Sequence, residues 1–506
     1  MRRYLRILTT PPALLAAITL LAAALRLAAL DRLPPGLYHD EAYNGLDALG
    51  VLRGDTPLFF PANNGREPLF IYLASVAVWL LGPSPGALRL VSALLGVATV
   101  PATYWLGRVL FERRTALLAA FLCATTVWTL NLSRVAYRAV VGPPIAALAL
   151  GLLWQGLERR RRGPMLAGGA AYGALFYTYL AARVSVLALG AFLAYLLLWH
   201  RARVWGRGLL LFALAACAVA APLGAHLLAT GELLGRAGQV SVFSPAISGG
   251  DPWGTLARHA ARTALGFFWR GDFIARHNVP LRPAFDPLTA AAMLGGAIVA
   301  LRCFRRSPAH ALVLIWVAVM LLPTVLAEDA PHMLRASGVL PVLFLLPALG
   351  IEALHRWLAP RAPWLAPAAI ALVLAFGATE GAWRYAAHLR GPSAYYQFEA
   401  GASALAAEAN AFLGVGWQGE GFDAPGGNPT PGRAVYVAPR LWRDWASVRY
   451  LAAPAASQGL VYSDAAWPGF AAAEDVALYL WPFEEDAAAL DLLPRERLVV
   501  VREGAQ

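Results

Sequence analysis

The chain has 506 residues, 59% of them hydrophobic and 14% charged, with a mean hydropathy of +0.54. That balance excludes a soluble domain of this size and leaves a polytopic membrane protein, with the lipid bilayer as its first partner. A formal charge of +12 would suit nucleic acid, but the basic residues come as short clusters between apolar runs, which is membrane topology and not a binding face, so no nucleic acid is expected.

Taken in order, the N-terminus carries Arg2, Arg3 and Arg6 ahead of an apolar run from Pro12 to Leu30. It has the shape of a signal peptide without a convincing cleavage site and reads as a retained first span. Runs of about 20 apolar residues predict further spans at 86–107, 115–133, 139–157, 165–181, 184–199, 209–229, 286–302, 309–327, 336–355 and 363–380. The first span is taken as 12–30, which makes about eleven. The apolar stretch 68–82 is too short to be a clear span, and charge decides its placement. If it lies in the interface, all the arginine clusters fall on one side: Arg108/Arg113/Arg114, Arg159 to Arg162, Arg201/Arg203/Arg207, Arg302/Arg305/Arg306 and Arg356/Arg361 join the N-terminal group. The positive-inside rule then makes the N-terminus cytoplasmic and 68–82 a juxtamembrane helix. The first loop 31–85, the large loop 230–285 and the C-terminus share the outer face of the cell (inner) membrane.

Beyond Thr379 the composition changes. A helix candidate around Phe398 to Phe412 precedes short β-like runs at Ala434–Val437, Val476–Leu480 and Leu498–Val501, separated by Gly and Pro loops. The expectation is therefore an all-α polytopic membrane domain over 1–380 and a small soluble α/β domain over 381–506 on the outer face. Cys123, Cys217 and Cys303 lie in or at the ends of apolar spans and imply no disulfide framework.

The chemistry-bearing stretch is Leu37-Tyr38-His39-Asp40-Glu41-Ala42-Tyr43-Asn44, just after Pro34-Pro35-Gly36 ends the first span. Paired carboxylates beside aromatic and amide groups at a membrane edge suit proton chemistry on a polar substrate delivered from lipid. On a helix Asp40 and Glu41 point about 100° apart, so both cannot face one atom; Asp40 is favoured as the actor, with Glu41 holding it or binding a cation. Other polar groups on the same face are Asn63, Asn64, Arg66 and Glu67, then Asn131, Arg134, Tyr137 and Arg138, then Tyr177, Tyr179 and Arg183, and finally Glu328 to Arg335 with His332 among them. Arginines on an outer face run against the positive-inside rule. Bidentate binding of a phosphate is one reason for them, and snorkelling to the interface is the ordinary one. Arg26, within the first span, reads as a snorkeller. No zinc-protease spacing, paired CxxC or P-loop is present.

Tyr38-His39-Asp40-Glu41-Ala42-Tyr43 followed by Arg66-Glu67-Pro68-Leu69-Phe70-Ile71-Tyr72 resembles the first loop of the GT-C glycosyltransferases, in particular the protein O-mannosyltransferase and lipid A aminoarabinose transferase branch. Further echoes are Leu88-Arg89-Leu90, Leu132-Ser133-Arg134, Tyr177 to Arg183 and Ala330 to Arg335. The resemblance covers residues 1 to about 355. It implies a hexosyl- or pentosyltransferase using a polyprenyl-phosphate-linked sugar on the outer face, inverting, with an acceptor hydroxyl on protein, lipid or glycan. It makes Asp40 the base with Glu41 beside it, gives Arg66, Arg134, Arg138, Arg183, His332 and Arg335 to the donor phosphate, and assigns His39, Tyr43, Asn44 and Glu67 to the substrate loop. Some relatives use a lysine for the phosphate directly before the proline, where this chain has Glu67 preceded by Arg66. Some also bind a divalent cation near this loop; for this chain the metal is left open. A flippase of lipid-linked sugar and a non-catalytic envelope-glycan assembly protein are the alternatives, although no inverted repeat or pair of broken helices favours transport.

Overall fold

The computed structural model describes residues 10–233, 238–424, 427–456, 460–461 and 473–480. A bundle of apolar helices carries a small mixed α/β unit at one end, so the expected fold class holds. Each expected span falls on a helix or helix pair. They begin with α1 (Pro11–Leu27), after which α2 (His39–Leu52) and α3 (Leu69–Leu81) form the first loop. Then come α4 (Pro85–Leu110), the pair α5 (Arg113–Thr125) and α6 (Val127–Arg134), α7 (Gly142–Arg159), α8 (Arg162–Leu175), α9 (Ser185–Trp199) and α10 (Gly206–Thr230). Beyond the large loop, with its α11 (Pro252–Leu265), lie α12 (Pro287–Cys303), α13 (Pro308–Met320), α14 (Leu345–Leu358) and α15 (Leu365–Leu389). By length and composition, six of the described helical stretches could cross a membrane, or seven if the α5–α6 pair, bent by 55°, is one span. The remaining expected spans, α1, α8, α12 and α14, are helices of 14 to 17 residues. α3 has 13 residues, and its Val76, Trp79 and Leu80 are exposed, as an interfacial helix requires.

Small residues let helices approach closely. A Cβ on Gly296 of α12 would run into the Leu346 carbonyl of α14, and one on Gly350 of α14 into the Ala292 carbonyl, so the two backbones touch where glycine faces glycine.

The arginine clusters gather at one end of the bundle. Arg356 reaches Glu112 at 2.8 Å and Arg114 reaches His355 at 2.8 Å. Arg160 meets the Ala202 carbonyl at 3.2 Å, and His200 meets that of Arg305 at 3.1 Å. The first loop, the 134–142 and 176–184 connections and the 326–335 turn lie at the other end.

After α15, which runs past the expected boundary at 380, come α16 (Ala400–Leu413) and the strand β1 (Arg433–Val437). The helix α17 (Ala446–Leu451) leads to β2 (Leu460–Val461), and β3 (Asp475–Tyr479) is the last strand described. The sheet is parallel in the order β2-β1-β3. The run expected at Leu498–Val501 lies outside the described residues. This unit shares one apolar core with the first loop: Leu37, Ala42, Ala48 and Phe70 pack with Leu413, Val435, Val437 and Tyr450.

Candidate active site

At the end away from the arginine clusters lies a cavity of about 540 Å³, far roomier than three others of about 10 to 20 Å³ elsewhere in the molecule. Five separate stretches wall it: the first loop, the 137–139 and 179–184 connections, the large loop, and the 323–335 turn.

α2 positions the carboxylates. Glu41, in its first turn, reaches back to the Tyr38 N–H at 3.2 Å, closing that end of the helix. The 100° between neighbours then separates the pair. Asp40 lines the cavity with its side chain 38% exposed, and Asn63 Nδ2 donates to its Oδ1 at 2.6 Å. Glu41 turns into the protein and is fully buried. Arg89 grips both its oxygens at 2.9 and 3.0 Å, and the Ala136 N–H donates at 3.0 Å. Arg89 also donates to the carbonyls of Pro34 and Gly36 at 2.6 and 2.7 Å. Glu41, expected at the catalytic centre beside Asp40, is therefore placed off the cavity: its four accepted bonds join α2 to α4 and to the 134–142 connection, and Arg89 carries the link on to the 34–36 turn.

The expected phosphate ligands divide in the same way. Arg66, Arg138, Arg183, His332 and Arg335 line the cavity. Arg66 is buried, donates to Asn44 Oδ1 at 3.0 Å and pairs with Asp47. Burial pulls its guanidinium down to about 10 and pushes the Asp47 carboxyl up, each only partly offset by the other's charge. Arg138 and Arg183 share Glu67, at 2.8 and 3.1 Å. Arg335 pairs with Glu328 at 2.9 Å. Arg134 is a second correction. It is buried off the cavity and donates to the carbonyls of Leu25 and Arg26, both at 3.0 Å, and of Leu33 at 3.0 Å, capping the open end of α1. Arg26 does not snorkel either: it is fully buried and donates to the Ala124 and Cys123 carbonyls at 2.9 and 3.2 Å, across the bend between α5 and α6. Of the expected substrate-loop residues, Asn44 and Glu67 line the cavity. Tyr43 and His39 flank it, Tyr43 between the guanidiniums of Arg66 and Arg449 at 5.6 and 5.8 Å from its ring centroid.

Among the wall residues of the large loop, Arg276 and His277 escaped the sequence reading, and so did the buried Asp272 that His277 meets. The backbone pairs Gly271–Leu281 and Leu281–Asp272 fold that stretch back towards the 326–335 turn. Arg276 lies 3.7 Å over the Tyr38 ring, donates to Gln397 at 2.6 Å, and is the cavity arginine without a carboxylate partner among the described residues. Asp272 is buried, accepts from the Ile274 and Met333 N–H groups at 2.8 Å each, and pairs with His277 Nδ1 at 3.0 Å. His332 stacks near His277 at 4.5 Å and accepts the Arg335 N–H on Nδ1 at 3.2 Å. Burial, with His277 and Arg335 alongside, holds His332 well below the usual histidine range.

Asp272, His277 and His332 could hold a divalent ion, since one ligand atom from each lies within 4.8 Å of the others. The group belongs to the large loop and the 326–335 turn, away from the first loop, where the resemblance left a cation open. Its donors already serve local hydrogen bonds, and Arg276 and Arg335 stand beside it, which fits an anion better than a cation.

Residues 64–226 match the model of the dolichyl-phosphate-mannose-protein mannosyltransferase family. Among solved structures, the archaeal oligosaccharyltransferase AglB from Archaeoglobus fulgidus, in complex with an inhibitory peptide and a dolichol-phosphate, is similar at a TM-score of 0.55. Identity is 16%, over 90% of this chain and 64% of that one. ArnT from Cupriavidus metallidurans bound to undecaprenyl phosphate is similar at 0.55, with 15% identity over 87% and 84%. The Archaeoglobus fulgidus oligosaccharyltransferase in complex with zinc and sulfate is similar at 0.51, with 15% identity over 89% and 62%. The present chain thus spans less than two thirds of the archaeal enzymes' length. No curated protein is similar enough in sequence to match. With a helical membrane bundle, a first-loop carboxylate at the cavity and these structural neighbours, the chain has the GT-C fold of membrane glycosyltransferases.

Proposed function

We propose that the protein is a glycosyltransferase that moves a sugar from a polyprenyl-phosphate donor to an acceptor hydroxyl, with inversion, on the outer face of the membrane, Asp40 acting as base. The observation that carries this reading is the cavity wall: one partly exposed carboxylate faces a lining in which five arginines outnumber three carboxylates. Arg138 and Arg183 share one carboxylate and Arg276 has none among the described residues, so this part of the wall offers positive charge to the one group every such donor brings, its phosphate. Arg276 is the foremost candidate, since its charge is not already answered by a carboxylate. The transition state is oxocarbenium-like: the bond from the anomeric carbon to phosphate breaks with its electrons leaving on the phosphate, and the acceptor oxygen loses its proton to Asp40 as it bonds to carbon. Arginines stabilise the departing charge, and His332, kept neutral, adds no competing carboxylate-binding cation near Asp40. A lipid tail remaining in the bilayer explains a cavity at the bundle's end.

The test is transfer by purified protein in liposomes, using a panel of undecaprenyl-phosphate hexoses and pentoses with a lysate glycan and peptide mixture as acceptors. Product formation that Asp40→Asn abolishes supports the reading. Movement of donor between leaflets without product would make the protein a flippase and overturn it. Arg276→Ala is expected to weaken undecaprenyl-phosphate binding by about 1.5–3 kcal/mol, the scale of a charged hydrogen bond, as read by titration of the purified protein. Arg134→Ala should leave that affinity unchanged and lower thermal stability.

A further inference from the structure

The C-terminal unit reaches the candidate base through two side chains. His39 precedes Asp40, and its Nδ1 lies 2.9 Å from Glu399 Oε1, while its Nε2 lies 3.5 Å from Asp40 Oδ1. Ser447 Oγ donates to the other Glu399 oxygen at 3.3 Å. Glu399 adopts φ 53°, in the left-handed region that costs a residue with a Cβ about 1–2 kcal/mol. Directly across Asp40, Asn63, which donates to Oδ1, stands at φ 50°. Two residues that are not glycine, distant in the chain, therefore hold left-handed backbone conformations beside one carboxylate, Asn63 bonded to it directly and Glu399 facing it through His39. Strain of this kind persists where the surrounding structure enforces it and clusters at working sites. Among the described residues no hydrogen bond reaches Asp40 Oδ2, so both restraints act on one oxygen and leave the other for substrate.

Resting on the reading of Asp40 as base, we propose that Glu399 and His39 are positioning residues: the C-terminal unit completes the active site by fixing the orientation of the Asp40 carboxylate. Glu399 meets Nδ1 of the imidazole at 2.9 Å and so fixes the ring plane, with Nε2 turned to Asp40. The Nε2–Oδ1 gap of 3.5 Å is longer than a good hydrogen bond, so the ring confines the carboxylate by close approach on the Oδ1 side and leaves Oδ2 to take the acceptor's proton. The other groups around the ring agree with this role. Tyr38 lies 4.0 Å away ring to ring and carries the Arg276 guanidinium 3.7 Å over its own ring, so the imidazole sits between a cavity-lining aromatic and the C-terminal unit.

The experiment is a double-mutant cycle in the liposome assay, using whichever undecaprenyl-phosphate sugar of the panel the wild type turns over fastest. Glu399→Gln and His39→Asn are each expected to lower kcat ~10-fold with KM unchanged, and the double variant ~10-fold, not ~100-fold, because both act through one geometry. Glu399→Asp should recover part of the loss. Should Glu399→Gln lose its fold, Ser447→Ala, which frees one carboxylate oxygen, should give the same split at ~2–3-fold. Unchanged kcat in folded Glu399→Gln and His39→Asn, while Asp40→Asn is inactive, overturns this proposal alone. An active Asp40→Asn, or a wild type that turns over no member of the panel, overturns the reading of the base and this proposal with it. Independent, multiplying losses would assign the two residues to docking of the C-terminal unit and also overturn it.

Discussion

Asp40 and Glu41 stand one peptide bond apart and do opposite work, which makes them the best pair of residues for separating chemistry from architecture. Asp40→Asn keeps the side chain's size and its place beside Asn63, yet removes the basic oxygen. The variant is expected to fold, bind undecaprenyl phosphate as the wild type does, and lose roughly 10²–10⁴-fold in turnover, the range a general base supplies. Single-turnover transfer at saturating donor checks it. Glu41→Gln should do the reverse, leaving Arg89 buried with an uncompensated charge, at a cost of about 3–5 kcal/mol read in thermal unfolding. His332 provides a test by pH. Its folded-state affinity for protons is depressed by burial and by neighbouring positive groups, so the unfolded chain binds the proton first as pH falls through about 6.5. Stability should therefore decline below that pH, and His332→Gln should flatten the decline between pH 7 and 5. Sequence disclosed Asp40, Arg138, Arg183, His332 and Arg335 because polar residues in outer connections of an apolar chain are conspicuous. It misassigned Arg134 and Arg26 because the carbonyls they satisfy, at the open end of α1 and at the bend between α5 and α6, belong to backbone geometry that no residue type announces.

At the scale of elements, the large loop shows what a pattern of spans leaves out. The region 230–285 was legible as an outer connection, but nothing in its composition indicates that the 271–282 stretch folds back to bring Arg276 and His277 to the cavity; that depends on hydrogen bonds such as Leu281 N to Asp272 O at 2.7 Å. The contact between α2 and α17 was equally hidden. Gly45 of α2 lies against the Tyr450 ring, where a Cβ would collide, and the Tyr450 hydroxyl meets the Ser84 carbonyl at 3.3 Å. Gly45→Ala is expected to push α17 away and, because α2 carries both His39 and Asp40, to lower turnover as well as stability. Tyr450→Phe, which keeps the ring and loses one hydrogen bond, should cost only about 1 kcal/mol. Comparable loss of activity in both variants, with stability intact, would break this link between docking and the site.

For the whole molecule, the distribution of arginine sets which end is expected to face out. Arg113, Arg114, Arg159 to Arg162, Arg201, Arg203, Arg305, Arg306 and Arg356 crowd the end opposite the cavity, where they form surface pairs such as Arg356–Glu112. Exposed pairs of this kind add little stability, so their concentration at one end is better explained by topology than by folding energy. The cavity's arginines are different: most are tied to carboxylates or carbonyls, so they act less as free topological charges and can be exported within a folded unit. On this charge distribution the first loop and the C-terminal unit are expected outside and the α7–α8 turn inside. Single cysteines test it on a background in which Cys217, exposed, and Cys303, partly exposed, are replaced by serine. Ala62 and Pro392 are exposed positions at the cavity end and should label with an impermeant maleimide in intact cells, whereas Gly163, which has open space around it, should label only after permeabilisation. Ala62 is the better choice over Gly65, whose positive φ and contact with Phe59 would strain any side chain placed there. Labelling of Gly163 in intact cells, with Ala62 protected, would turn the molecule over and place the candidate base on the cytoplasmic face, where a different donor pool would have to supply it.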